Sequence, residues 1–181
     1  MVRPLKYHEQ KLLKKHNFVH YRKENVKDVE NINRFGLTGK EEYAAYTKLV
    51  GSIQKILHLV QELDDKDPMK KQITDTLCEK LYDMGVIDSK TTFSLTKICQ
   101  ASFCRRRINV LLVQLKYAQN LANAASIVQH GHIRIGPEVI TDPALIVTRK
   151  FQDLLTWVDN SSMRKKVLQY NNEYDDYELL Q

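Results

Sequence analysis

The segment 105–149, RRRINVLLVQLKYAQNLANAASIVQHGHIRIGPEVITDPALIVTR, constrains the chain more than any other stretch. Three consecutive arginines precede an apolar pattern of helical period. Gly131-His132-Ile133-Arg134-Ile135-Gly136 then turns the chain between short segments of alternating character. Helical periodicity giving way to period-two alternation predicts helices packed on a small sheet. With cations at both changes of structure, the segment reads as a small module that binds RNA phosphates.

Within it, Leu111, Leu115, Ala118, Ala122, Ala125 and Val128 define one helical face. The alanines predict close backbone approach, in two short helices broken near 120–123, and Gly131 ends the second. Ile133 and Ile135 alternate with Arg134 as a strand. Residues 139–140, 144–148 and 154–158 are further strand candidates, with Asp142-Pro143 as a turn. Ser161 or Ser162 caps a last helix that runs to Tyr170.

Upstream, the pattern is helical. Residues 4–16 predict a short, highly charged helix or an arm that orders on RNA. Residues 17–40 read as irregular, with Gly36 and Gly39 as breakers. Thr38, three residues before Glu41, has the spacing of a capping box. Tyr46, Leu49, Val50, Ile53, Ile56, Leu57, Val60 and Leu63 predict a helix over 41–63. Pro68 starts another, with Met69, Ile73, Leu77, Leu81 and Met84 as its apolar stripe and Gly85 as its C-terminal cap. Residues 91–104 read as a connector with one short helix. The expected class is therefore α+β: a helical N-terminal region followed by a small α/β module.

Charge divides the 181 residues further. The net charge is +6 over 1–27, −2 over 28–104, +6 over 105–166 and −4 over 167–181. These limits give a basic arm, a helical region, a basic RNA-binding domain and an acidic tail. Two basic blocks and a pI of about 9.1 point to a polyanionic partner. The start of the chain lacks the apolar run of a signal peptide, and no stretch suits a membrane span. Three scattered cysteines do not make a disulfide framework, so a reducing compartment, cytosol or nucleus, is expected. The Asn160-Ser161-Ser162 sequon is then a chance match.

Enzyme motifs are missing. Gly36-Leu37-Thr38-Gly39-Lys40 has two residues between its glycines where a Walker loop needs four, and Glu41 stands where Ser or Thr should. The same glycines match the GXXG form of a KH loop without its strand-helix surroundings. His8-Glu9 begins like a zinc-protease motif, but Leu12 occupies the second His position. His16 and His20 lack cysteine or carboxylate company. No metal, cofactor, small-molecule substrate or catalytic residue is expected.

The cations remain. Arg105, Arg106 and Arg107 have planar guanidinium forks that match phosphate oxygens bidentately. At a helix start they oppose the macrodipole unless an anion sits between them; the alternative is a solvated charged turn. His132 and Arg134 lie on the turn into the first strand, where glycines permit close approach of a ligand. For His132 the alternative is a histidine hydrogen-bonded to its own turn. Lys116 extends the same basic surface or is simply solvated. Trp157 reads as core.

Arg105-Arg106-Arg107, Ala124 and Val128, Gly131-His132-Ile133-Arg134-Ile135 and Pro143 resemble the RNA-binding domain of ribosomal protein S-four. That resemblance implies two helices packed on a short bent β-sheet over about 105–165. Over the whole chain the ordered motifs MVRPLKYHEQKLLKK, Lys80-Leu81-Tyr82-Asp83-Met84-Gly85, Ser102-Phe103-Cys104-Arg105-Arg106-Arg107, Gly131-His132-Ile133-Arg134-Ile135-Gly136-Pro137, Asp142-Pro143-Ala144 and Thr156-Trp157-Val158-Asp159 are similar to the Imp-three family of the U-three small nucleolar ribonucleoprotein.

This resemblance implies a non-catalytic nucleolar subunit of the small-subunit processome. Its implied partners are the U-three small nucleolar RNA, pre-ribosomal RNA, the M-phase phosphoprotein ten scaffold and Imp-four. Implied RNA contacts are Arg105, Arg106, Arg107, His132 and Arg134, with Arg3, Lys6, Lys11, Lys14 and Lys15 at the basic start. Two departures stand out: Ile108-Asn109 replaces an expected Leu-Pro, and Pro4 replaces a cation. The domain alone equally permits a structural protein of the mature small subunit. An RNA-modifying enzyme would need its catalytic domain within 1–104, where no constellation supports one.

Overall fold

A computed structural model describes residues 3–16, 26–64 and 66–173. The order is α1 (Tyr7–Lys15), α2 (Val26–Phe35), α3 (Lys40–Glu62), α4 (Pro68–Asp83), α5 (Thr92–Thr96), α6 (Gln100–Cys104), α7 (Ile108–Gln114), α8 (Leu121–Gln129), β1 (Ile133–Ile135), β2 (Glu138–Ile140), α9 (Arg149–Gln152), β3 (Leu155–Trp157) and α10 (Ser162–Tyr170). The class is α+β, as the periodicities predict. His20 and the tail residues 174–181 lie outside the described residues.

α1 buries no side chain. Its first turn is closed locally: the Glu9 carboxylate accepts from the Lys6 backbone N–H at 2.9 Å and from Arg3 at 2.7 Å. A helix of nine residues without a packed face is marginal on its own, so these local bonds matter to its form.

α2 falls within the segment expected to be irregular. Its apolar residues Val26, Val29, Ile32 and Phe35 recur every three residues, and only Phe35 is fully buried. Gly36, at φ +59°, ends it in a Schellman turn: Leu37 N–H donates to Ile32 O and Gly36 N–H to Asn33 O. The Gly36–Gly39 stretch is thus a link between two helices. α3 is capped by Gly39 rather than Thr38; the Thr38 hydroxyl instead donates to the Glu42 carboxylate at 2.5 Å.

Asp67 caps α4, accepting from Met69 N–H at 2.9 Å, and Pro68 fills the first turn, where no N–H is needed. Gly85, at φ +74°, ends α4 in a second Schellman turn, as the sequence implies. Residues 91–104 hold two short helices, α5 and α6, instead of one. The first core joins Phe35, Tyr46, Val50, Ile53, Leu81, Leu95 and Phe103, with Tyr46 and Phe103 stacked at 6.3 Å.

The second core joins Ile108, Leu111, Leu112, Ala124, Ile127, Val128, Ile133, Ile140, Val147 and Leu155. Each Ile or Leu so buried contributes about 2 kcal/mol. The helix break lies at 115–120, earlier than expected. The buried face is accordingly Leu111, Leu112, Ala124, Ile127 and Val128, while Leu115 and Ala122 are exposed. β1 is central in an antiparallel sheet of order β2-β1-β3. Ile133 faces Ile140 and Trp157, and Arg134 faces Val139 and Thr156. Residues 144–148 form no strand; Ile146 makes a single bridge to Arg107. Trp157 is half-buried against Tyr117 at 5.2 Å.

Candidate RNA interface

The arginine triplet occupies the tight turn between α6 and α7, and its members point to different places. Arg105 is the C-cap of α6 and is exposed. Arg106 reaches across to the segment before α9. Its Nε and Nη2 donate to Val147 O at 3.1 and 2.7 Å, and Nη1 donates to Gln152 Oε1 at 2.8 Å. Burial, with Arg149 nearby, pushes its pKa below the usual arginine value.

Arg107, the N-cap of α7, is 1% exposed. Its Nη1 donates to Glu42 Oε2 at 2.8 Å and to Tyr46 Oη at 3.1 Å, while Nε is buried without a partner. The triplet therefore does not form one exposed clamp at a helix start. A turn of α6 followed directly by α7 leaves Arg105 outside, lays Arg106 along the seam and drives Arg107 inward. Next to it, Asn109 is 3% exposed and its Oδ1 has no protein partner. An apolar side chain at this position would leave no buried polar atom without a partner.

The seam also uses Arg149, which the sequence did not single out. It donates to Tyr82 O at 2.9 Å and Ile87 O at 2.7 Å and stacks over the Tyr82 ring at 4.4 Å. Arg107 and Arg149 bind the helical half to the sheet half, while Arg106 ties the turn to the segment around α9.

His132 immediately precedes the central strand β1 and Arg134 lies within it. His132 Nδ1 shares a 2.9 Å hydrogen bond with Ser161 Oγ rather than with its own turn, and the His130 ring lies 6.2 Å away. Arg134 is partly exposed. Its Nη1 and Nη2 donate to Asp159 at 2.6 and 3.1 Å, and Nε donates to Thr156 Oγ1 at 3.2 Å. Asp159, Ser161 and Arg164 were not read from the sequence as site residues, although Ser161 was foreseen as a cap. It is one: its Oγ accepts from Met163 N–H at 3.2 Å.

Lys116 is exposed on the α7–α8 turn at φ +64°, a region glycine normally fills. Lys6, Lys11, Lys14 and Lys15 are exposed on and beside α1, and exposed Arg3 is paired with Glu9. Among the described residues no group of three His, Cys, Asp or Glu side chains is placed to hold a metal. Nor is any helix among them long and apolar enough to cross a membrane.

Residues 4–100 match the ribosomal protein S4/S9 N-terminal domain, and residues 106–151 match the S4 domain. The U3 small nucleolar ribonucleoprotein protein IMP3 of Mus musculus is 40% identical over 99% of both chains. The IMP3 proteins of Homo sapiens and Saccharomyces cerevisiae are 38% and 37% identical over 99% of this chain, covering 99% and 100% of theirs. This chain belongs to the IMP3 family. The small ribosomal subunit protein uS4 of Sulfolobus acidocaldarius is more distant, at 26% over 74% of this chain and 76% of its own. In this IMP3-family chain the two matched segments meet at the Arg105 turn, and β3 and α10 lie beyond the matched S4 segment.

Proposed function

We propose that the chain is a non-catalytic RNA-binding subunit of the U3 small nucleolar ribonucleoprotein. The observation that carries this reading is similarity at 37–40% identity, over 99% of the chain, to proteins named as components of that particle. Its work in this reading is to promote pairing of the U3 small nucleolar RNA with pre-ribosomal RNA in the small-subunit processome of the nucleolus. Two RNA strands repel through their phosphates. A chain with two separate cationic blocks binds both and releases their counterions, lowering that barrier without covalent chemistry.

The RNA contacts in this reading are Arg105, Lys116, His132 and Arg134, with Arg3, Lys6, Lys11, Lys14 and Lys15 on the N-terminal arm. Arg106 and Arg107 act behind them as buttresses of the turn. The arm over 1–27, the helical region over 28–104, the RNA-binding domain over 105–166 and the tail over 167–181 are the proposed divisions. The M-phase phosphoprotein ten scaffold and Imp-four are the proposed protein partners.

The test is annealing of the two RNAs at low salt with purified protein. Faster or more stable pairing is expected, and no effect overturns the pairing role. Base modification by the pure chain overturns the non-catalytic reading. The similarity to uS4 supports a second reading, a structural protein of mature small subunits. Sedimentation separates the two: confinement to large precursor particles supports the first, and residence in mature subunits supports the second.

A further inference from the structure

β3 ends in a turn whose carboxylate serves two arginines from different elements. Asp159 accepts from Arg134 of β1 at 2.6 and 3.1 Å and from Arg164 of α10 at 2.6 Å. All three side chains reach the surface, at 32%, 39% and 58% exposure for Arg134, Arg164 and Asp159. Lys165 and Lys166 follow Arg164 and are exposed. The sequence of α10, SMRKKVLQY, contains no acidic residue. Two guanidinium groups thus share one carboxylate, and two exposed lysines follow on the same helix.

This helix is fastened to the sheet. Ser161, 5% exposed, caps α10 and binds His132, and Met163 packs against the second core. The Arg164 fork is therefore held beside the Arg134 fork and not left on a loose terminus. A carboxylate gripped by two guanidinium groups occupies the kind of position a phosphate takes, because both anions offer paired oxygens to the same fork. An exposed ion pair contributes little to stability, so exchange of Asp159 for an RNA phosphate costs the fold little.

We infer that Arg134 and Arg164 form a backbone-phosphate site for RNA, with Asp159 holding the two forks in place until a phosphate displaces it and with exposed Lys165 and Lys166 of the same helix adding cations along the RNA backbone. The inference rests on the RNA-binding reading above and extends the RNA surface past the matched S4 segment onto α10. Contacts of this kind position RNA without reading sequence, so the site takes a phosphate backbone and not a particular base.

The test uses the full chain and a labelled RNA oligonucleotide titrated at several salt concentrations. Replacing Arg164, Lys165 and Lys166 together with alanine is expected to weaken binding at least tenfold at low salt. It should also flatten the log–log salt slope by about 2 units, since each lost phosphate contact removes roughly 0.7–0.9. Alanine favours helix, so the variant keeps α10. D159N, which frees both forks, is expected to bind more tightly. A control, K48A with K55A on exposed positions of α3, should leave the slope unchanged. If wild-type protein binds RNA and the α10 variant binds with the same slope, the inference falls and the RNA-binding reading stands. If D159N binds more weakly than wild type, Asp159 is not a displaceable stand-in. If wild-type protein binds no RNA at low salt, the reading itself falls and takes the inference with it.

Discussion

Arg107 Nη1 lies 2.8 Å from Glu42 Oε2, joining two residues 65 positions apart, one at the start of α7 and the other in α3. Thr38 donates to the other Glu42 oxygen, so both carboxylate oxygens are engaged. Arg107 is 1% exposed and the Glu42 side chain 30%. Removing Glu42 strands a buried charge, whereas removing Arg107 leaves a carboxylate that can still reach water.

E42A is therefore expected to destabilise the chain more than R107A, at about 3 kcal/mol or more. Denaturant midpoints of both variants check the order. The double change E42A with R107M, which removes the charge and keeps much of the volume, should recover part of the loss.

The neighbouring arginines separate the same way. R105A, at an exposed C-cap, is expected to leave the melting temperature nearly unchanged and to weaken RNA binding, with a shallower salt slope. R106A is expected to lower stability, because it abandons Val147 O and Gln152 as well as any phosphate. Replacing all three at once mixes folding with binding, so single variants measured by melting and by RNA titration are the informative set.

That division shows what a linear sequence conveys. The stripes of α3 and α4 were legible because helix faces are set by residues three and four apart. The caps at Gly85, Gly131 and Ser161 stand where local chemistry puts them, whereas Asp67, which caps α4, is not singled out by the sequence. Arg105, Arg106 and Arg107 are chemically identical neighbours, and their fates are decided by Gln152, Glu42 and Val147, far away in the chain. α2 was missed because its recurring Val26, Val29, Ile32 and Phe35 lie in a strongly polar segment. The α7–α8 break was misplaced because Lys116 stands where a glycine would have announced the turn. Arg134 and His132 are singled out by type and turn, but Asp159 and Arg164 come beside Arg134 only through the pairing of β1 with β3.

Two glycines offer opposite tests of backbone. At Gly85, φ is +74° and an added Cβ would sit 2.7 Å from the Arg106 guanidinium carbon. G85A is expected to cost at least about 1 kcal/mol, through left-handed strain and displacement of Arg106. Gly51 lies inside α3 with nothing within 4 Å of an added Cβ. G51A should instead stabilise by roughly 0.5–1 kcal/mol. Thermal melts of the two variants should move in opposite directions.

The cysteines give a pH dependence. Burial pushes the Cys104 thiol up to about 11, from an ordinary value of 9.0. The unfolded chain then releases this proton before the folded chain does. The stabilising contribution is complete below about pH 9 and is lost as pH rises towards 11. Cys78 is raised in the same direction, first by burial and then by Asp75. At Cys99 burial also raises the pKa, but hydrogen bonds from Ser102 and Ala101 and the charge of Arg105 outweigh it, and the net direction is down. Alkylation at pH 8 should label exposed Cys99 first, and Cys78 and Cys104 only on unfolding. Fast labelling of Cys104 in the native chain would show that its burial is wrongly placed.

Lys116 combines strain with charge. It occupies the left-handed position after α7 at φ +64°, with its own N–H donating to Val113 O at 3.2 Å and Tyr117 N–H to Leu112 O at 2.8 Å. That is the Schellman geometry seen at Gly36, Gly85 and Gly131, here held by a side chain that costs about 1 kcal/mol in such a conformation. K116G should therefore raise the melting temperature, by roughly 2–4 °C for a chain of this size. If Lys116 also meets an RNA phosphate, the same variant binds RNA more weakly and its salt slope falls by about 1. K116N separates the two effects, because asparagine tolerates the left-handed region without the charge. Both variants should show the binding loss, with the larger thermal gain in K116G. A thermal gain with unchanged RNA titration would reduce Lys116 to a strained turn residue and remove it from the interface.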